Sequence, residues 1–205
     1  MDRSKLSKDL KAFLGAYSPN GKIGKVLDVT SLLMAGQLEY GIKSFFVAWL
    51  RTKDENVVFA LDKKFDDHQI DLLASAKGNG GTAIFTAEIK STFLGDRSAT
   101  TRCVEKAVAQ ARKAKSISNS KEQNKFLGKA AHFVIHFLNS RPFDLDEDFY
   151  PEEIEHKFSS VRRDPEKLKE NLDALMGRYR AQGVEPEIVS NARNPHLQAL
   201  IAQIE

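Results

Sequence analysis

Two carboxylates and an ammonium group, those of Asp71, Glu88 and Lys90, lie near the middle of the 205-residue chain. Glu88 and Lys90 are two positions apart, so on a strand their side chains share one face. Carboxylate oxygens are hard ligands that suit Mg²⁺ or Mn²⁺. These residue types therefore indicate a divalent-metal site with a lysine charge beside it.

A predicted β-hairpin brings Asp71 and Glu88 together. Strands are expected at about 69–76 and 82–90, and the glycine-rich loop between them suits a tight turn. In the register that this loop favours, Asp71 faces Glu88 across the two strands, with their Cβ atoms about 4.5–5.5 Å apart. The neighbouring residues are apolar, so the two carboxylates would repel each other, and one would take up a proton unless a cation intervened.

A third carboxylate, Glu39, lies on the apolar stripe of a long helix predicted at about 31–51. A charge on such a stripe is disfavoured without a partner, so a helix packed on the sheet could deliver Glu39 to the metal. The alternative is an ion pair with Lys43, one turn along the helix. The apolar stripe consists of Leu32, Ala35, Leu38, Ile42, Phe45, Phe46 and Trp49.

The remaining elements predict an α/β fold. We expect a mixed central sheet of about four or five strands with an αβββαβ core, flanking helices and C-terminal helices. A crossover helix precedes the fourth strand, so the third and fourth strands should be parallel. The expected domain organisation is a core at 1–150 and a helical extension at 151–205 packed on the same domain. The other predicted elements are helices at about 4–15, 99–115 and 165–183, a last helix after Asn194-Pro195, and strands at about 57–61 and 131–138.

The central region resembles the PD-(D/E)XK superfamily of restriction-endonuclease-like nucleases. Asp71 lies in HQIDLLA, and Glu88-Ile89-Lys90 follow after the hairpin in AEIKS. Glu39 matches the glutamate often found on the first core helix of that family, and the order αβββαβ is the family's core. The resemblance covers about residues 30–138. Ile70 stands where the family name has a proline.

The resemblance implies a metal-dependent nuclease acting on DNA, with Mg²⁺ or Mn²⁺ as its cofactor. The metal ligands would be the carboxylates of Asp71 and Glu88, the backbone carbonyl of Ile89, and Glu39, which completes or tunes the metal shell. Each of these groups offers an oxygen atom.

Two further residues receive roles from the same resemblance. Lys90 would orient or help to deprotonate the attacking water and stabilise charge on the phosphate. Gln110, on the crossover helix, would support the site or the substrate backbone; the alternative is a partly exposed polar group of the helix. Restriction, defence, mobile-element biology and repair are all settings for such an enzyme.

Composition restricts the remaining classes. The single cysteine, Cys103, excludes an internal disulfide and a cysteine-based zinc site, and it fits a reducing compartment. The charged N-terminus does not resemble a signal peptide, and no apolar run is long enough to span a membrane. We therefore expect a cytoplasmic protein. His132 and His136 lie in an apolar strand and are predicted to be core histidines with satisfied hydrogen bonds.

A basic region follows the third strand, within a chain of net charge +3. It could bind a polyanion such as DNA, or it could be a solvated helix face and loop. The region consists of Lys106, Arg112, Lys113, Lys115, Lys121, Lys125 and Lys129.

Two other functions are open at this point. A catalytically silent subunit with the same fold could bind nucleic acid or take part in an assembly, and a homodimer would place two sites on two strands. The other is an unrelated small-molecule enzyme. Two observations argue against it: the GKIGK segment lacks the spacing of a phosphate-binding loop, and the sequence has no serine nucleophile elbow.

Overall fold

The computed structural model describes residues 2–17, 38–65, 68–78, 81–94, 97–120, 124–139 and 165–205. These residues form five helices and six strands. The helices are α1 (Arg3–Ala16), α2 (Leu38–Arg51), α3 (Arg97–Ser118), α4 (Asn124–Leu127) and α5 (Pro165–Ala181). The strands are β1 (Val57–Phe65), β2 (His68–Ala76), β3 (Ala83–Phe93), β4 (Ala131–Asn139), β5 (Pro186–Asn191) and β6 (Asn194–Gln203).

All six strands form one mixed sheet in the order β1-β2-β3-β4-β6-β5. β3 and β4 are parallel, and every other pair is antiparallel. The parallel pair is the one predicted from the crossover helix, which is α3. The α/β class and the mixed sheet are confirmed, with six strands where about four or five were expected.

Helices cover both faces of the sheet. On one face, α1 and α2 pack through an aromatic group in which the ring of Phe13 lies 5.2 Å from that of Phe46 and 5.9 Å from that of Phe137. On the other face, α3 and α5 bury Val108 and Tyr179 against the sheet. Phe85, Ala87 and Ile89 of β3 belong to the core under α1 and α2. Side chains alternate along a strand, so Glu88 and Lys90 point to the opposite face, which α3 covers.

The end of the chain is a β-hairpin, so the predicted last helix after Asn194-Pro195 is wrong. β6 lies between β4 and β5 in the sheet, and Ala199, Leu200, Ile201 and Ala202 are all buried. A strand that is buried on both faces does not alternate, and its apolar residues can therefore match a helical spacing by chance. The preceding helix α5 begins at Pro165, as its start signal predicts.

Part of the predicted long helix is observed as α2, whereas its residues 31–37 lie outside the described part of the chain. None of the helices in the described residues is both long and apolar enough to cross a membrane.

Candidate active site

The site lies where β2 and β3 stop pairing. Leu72 pairs with Ala87 in the register predicted from the sequence, although a bulge between Ala74 and Ser75 shifts the pairing near the loop. At the next residue, Asp71, the contact between the strands is made by a side chain. Asp71 Oδ2 accepts a hydrogen bond of 2.9 Å from the backbone N–H of Ile89. The Asp71 carboxylate thus replaces a strand-to-strand hydrogen bond and is fixed next to Glu88.

Lys90 joins the three carboxylates that the sequence singled out. Its Nζ lies 3.6 Å from Asp71 Oδ2, 3.9 Å from Glu88 Oε2 and 3.5 Å from Glu39 Oε1. Glu39 is delivered by the first turn of α2 and keeps 43% of its side chain exposed, whereas Lys90 is 9% exposed. The structure therefore brings Glu39, Asp71, Glu88 and Lys90 together, and the partner of Glu39 is Lys90 where the alternative named Lys43.

Lys43 is a member of the site that the sequence argument missed. Its buried Nζ donates to Asp62 Oδ1 at 2.6 Å and to Asp71 Oδ1 at 3.2 Å. Lys43 lies one turn after Glu39 on the buried side of α2, and a lysine in that position is a signal that could have identified it. Asp62 gave no such signal, because it adopts a positive φ of 52° inside β1, which no local pattern indicates.

Among the acidic residues that the structure describes, Glu88 is the most deeply buried, with 1% of its surface exposed. Neither of its carboxylate oxygens accepts a hydrogen bond from a donor group of the described residues. The nearest histidine nitrogen, Nε2 of His68, lies 4.0 Å from Glu88 Oε1. Burial, together with the charge of Asp71, raises the pKa of Glu88 to about 8. At neutral pH and without a metal, Glu88 therefore holds a proton.

Asp71 behaves in the opposite way. Burial would raise the pKa of its carboxyl, but Lys90, the N–H of Ile89 and Lys43 together lower it below the ordinary value. One carboxylate of the pair is thus ionised and the other protonated, as expected for two carboxyl groups in contact.

Both lysines keep their charge in spite of their burial. Burial lowers the pKa of Lys90, but the charges of Asp71, Glu39 and Glu88 outweigh it and raise that pKa above its ordinary value. Burial likewise lowers the pKa of Lys43, and its contacts with Asp62 and Asp71 raise it further than burial lowers it. Two ammonium groups therefore partly neutralise the acidic cluster from within. This cluster consists of Glu39, Asp62, Asp71 and Glu88.

The donor set fits a hard divalent cation in its chemistry, since its ligands are carboxylate oxygens. The buried oxygens of Glu88, which accept no hydrogen bond from the described residues, would gain a positively charged partner in such an ion. In the described residues no three histidine, cysteine or acidic side chains are already arranged to hold a metal. The ammonium groups of Lys43 and Lys90 lie among the carboxylates.

Gln110 and Cys103 are both half-buried on α3. The Gln110 Oε1 atom is buried and has no hydrogen-bond partner in the part of the chain that the structure describes. Burial raises the pKa of the Cys103 thiol, so this group stays protonated and is not an activated nucleophile. The supporting role predicted for Gln110 stays a prediction.

The two histidines of β4 are core residues with satisfied hydrogen bonds, as predicted. His132 Nε2 lies 3.2 Å from the hydroxyl of Ser118, and His136 bonds with Thr92 at 2.9 Å and with the hydroxyl of Tyr179 at 2.8 Å. Burial, reinforced by Lys115, lowers the pKa of His132 to about 4. Burial, reinforced by Lys90, lowers that of His136 to about 3. Both rings are therefore neutral at physiological pH.

The basic region lies on α3, on α4 and in the turn that follows α4. Most of its side chains are exposed, but Arg112 is tied to the C-terminal segment by a hydrogen bond to the carbonyl oxygen of Gln182. Lys121 lies outside the described residues. The exposed members are Lys106, Arg112, Lys113, Lys125 and Lys129, and Lys115 is half-buried.

Comparisons of the chain with protein-family models, with curated proteins and with solved structures gave no match. The arrangement of the site itself is therefore the basis for a functional proposal. It offers an ionised carboxylate, a protonated carboxyl group that a cation would deprotonate, and a permanently charged lysine within 4 Å of both.

Proposed function

We propose that the chain is a metal-dependent nuclease that hydrolyses DNA phosphodiester bonds. The observation that carries this proposal is the convergence of Asp71, Glu88 and Lys90 where β2 and β3 separate, with Glu39 added from α2. The order α2-β1-β2-β3-α3-β4 is also the one that the nuclease resemblance implies. Agreement between element order and side-chain placement supports the proposal more than the short motif alone.

Asp71 and Glu88 would hold a Mg²⁺ or Mn²⁺ ion, with Glu39 and the carbonyl of Ile89 as further ligands. When bound, such an ion polarises the phosphodiester and lowers the pKa of a water molecule. The fit rests on Glu88, whose two buried oxygens accept no hydrogen bond from the described residues.

Lys90 would act as a fixed positive charge. Because the neighbouring carboxylates raise its pKa, its ammonium group stays protonated and is suited to orienting the attacking water and stabilising negative charge on the phosphate. Ile89 N–H and Lys43 would keep the Asp71 carboxylate in place. The attacking water oxygen forms a new P–O bond while the bond to the leaving oxygen breaks.

The proposal is tested by incubating the purified protein with supercoiled plasmid, linear duplex and single-stranded DNA, in Mg²⁺, in Mn²⁺ and in chelator. Asp71→Asn, Glu88→Gln and Lys90→Met should each reduce metal-dependent cleavage by at least about a hundredfold. Glu170→Gln, an exposed carboxylate on α5, is the matched control and should leave the rate unchanged. If the Lys90 and Asp71 variants cleaved DNA as fast as the wild-type protein, the proposed mechanism would be wrong.

A catalytically silent nucleic-acid-binding or assembly subunit is the second candidate. Lys43 favours it, because together with Lys90 it gives the acidic cluster a resident positive charge that needs no metal. DNA binding with no cleavage in either metal would select this candidate. Size-exclusion chromatography then tells whether the chain is a homodimer, as an assembly role would favour.

A further inference from the structure

An exposed aromatic ring lies beside the acidic cluster. Tyr40 follows Glu39 on α2 and is 58% exposed, more than any other large hydrophobic side chain in the described residues. Lys43 Nζ lies over its ring, 6.0 Å from the centroid, and the same Nζ is 3.2 Å from Asp71 Oδ1. The ring therefore stands at the surface a short distance from the carboxylates.

Packing against the described residues does not explain an aromatic residue at this position. The neighbouring rings on α2 have clear structural roles, since Phe46 is fully buried and Phe45 and Trp49 pack against the same core. Tyr40 instead keeps more than half of its surface in water, where a ring contributes little to stability. Isolated exposed apolar groups are common, but this one is adjacent in sequence to Glu39, which contacts Lys90.

We propose that Tyr40 is a stacking platform for an unpaired base of a DNA strand whose phosphodiester lies at Asp71 and Glu88. The inference rests on the proposed nuclease function and gives it a substrate class, single-stranded DNA. Aromatic side chains hold single strands by stacking on bases. Within a duplex the neighbouring base pairs cover both faces of each base, so a paired base must leave the stack before it can contact the ring.

Binding in the presence of chelator tests the inference without cleavage. The probes are a fluorescein-labelled single-stranded oligodeoxynucleotide and its duplex, followed by fluorescence anisotropy. Tyr40→Ala should weaken binding of the single strand by about tenfold, and Tyr40→Phe should change it by less than about twofold, since phenylalanine keeps the stacking ring. Ile188→Ala, an exposed apolar side chain on the edge strand β5, is the matched control and should bind as wild type does.

A scan with abasic nucleotides adds a readout that a general structural defect would not reproduce. In the wild-type protein, removal of one particular base should weaken binding about as much as Tyr40→Ala does. Combining Tyr40→Ala with the abasic nucleotide should weaken binding little more than either change alone, because both remove the same base–ring contact. If the two changes reduced the binding free energy additively, the stacking role would be overturned.

The remaining outcomes separate this inference from the nuclease proposal. Unchanged single-strand binding by Tyr40→Ala, in a protein that cleaves DNA through Asp71 and Lys90, would overturn the platform alone. Tighter binding of duplex than of single strand would overturn the substrate class. Neither binding nor cleavage of any DNA would overturn both proposals.

Discussion

Replacing Glu88 with glutamine should change how the stability of the metal-free protein depends on pH. The pKa of Glu88 is raised from 4.5 to about 8 in the folded chain, so between these values the folded state holds a proton that the unfolded state has released. Stability therefore decreases as the pH rises through this window, by up to about 1.4 kcal/mol per pH unit. Glutamine has nearly the shape of the protonated acid and cannot titrate, so Glu88→Gln should lack this loss.

The interval between pH 6.5 and 7.5 isolates the effect, because the buried histidines change their protonation on unfolding mainly below it. Over this interval, the free energy of unfolding of the wild-type protein should fall by about 1 kcal/mol more than that of Glu88→Gln. Urea unfolding in chelator at the two pH values gives both free energies, and groups common to the two proteins cancel in the comparison. A difference between the two proteins that stays constant from pH 6.5 to 7.5 would refute the reasoning, since it would mean that Glu88 is already ionised.

Three further predictions concern the same cluster and the core. Binding of Mg²⁺ at pH 7 should release close to one proton from Glu88, which calorimetry in two buffers of different ionisation enthalpy would detect as a buffer-dependent heat. Lys43→Met should lower the free energy of unfolding by about 3 kcal/mol because it removes one of the two ammonium partners of the buried Asp71 and the ammonium partner of Asp62. Adding Asp62→Asn should restore part of this loss, measured by urea unfolding. The pKa of His136 is lowered to about 3, so stability should be lost as the pH falls below about 6.5, and His136→Gln should reduce the steepness of that loss by up to about 1.4 kcal/mol per pH unit.

The part of the site that the sequence predicts is the part set by short-range geometry. A hairpin loop determines which residues of its two strands face each other, and the alternation of a strand puts Glu88 and Lys90 on one face. Glu39 was identified because a charge on an apolar helix stripe requires a partner, which is Lys90. Each of these predictions depends only on residues that are close together in the sequence.

The parts that sequence patterns did not predict depend on contacts between distant segments. Ile201 and its neighbours in β6 are buried because helices cover both faces of the sheet at this strand, and the apolar spacing of this segment fits a helix as well as a central strand. Lys43 and Asp62 meet only after α2 has packed against the sheet. The positive φ of Asp62 also contradicts the extended backbone that its strand neighbours adopt, so local propensity predicts the wrong conformation there.

The unusual backbone of Asp62 also affects how copies of the chain can meet. β1 is an outer strand of the sheet, and its positive-φ residue is followed by the exposed lysines Lys63 and Lys64. An interrupted, positively charged edge is a poor template for hydrogen bonding with another strand, and the opposite outer strand begins with Pro186, which has no N–H to donate. In the part of the chain that the structure describes, both borders of the sheet therefore discourage its growth from molecule to molecule.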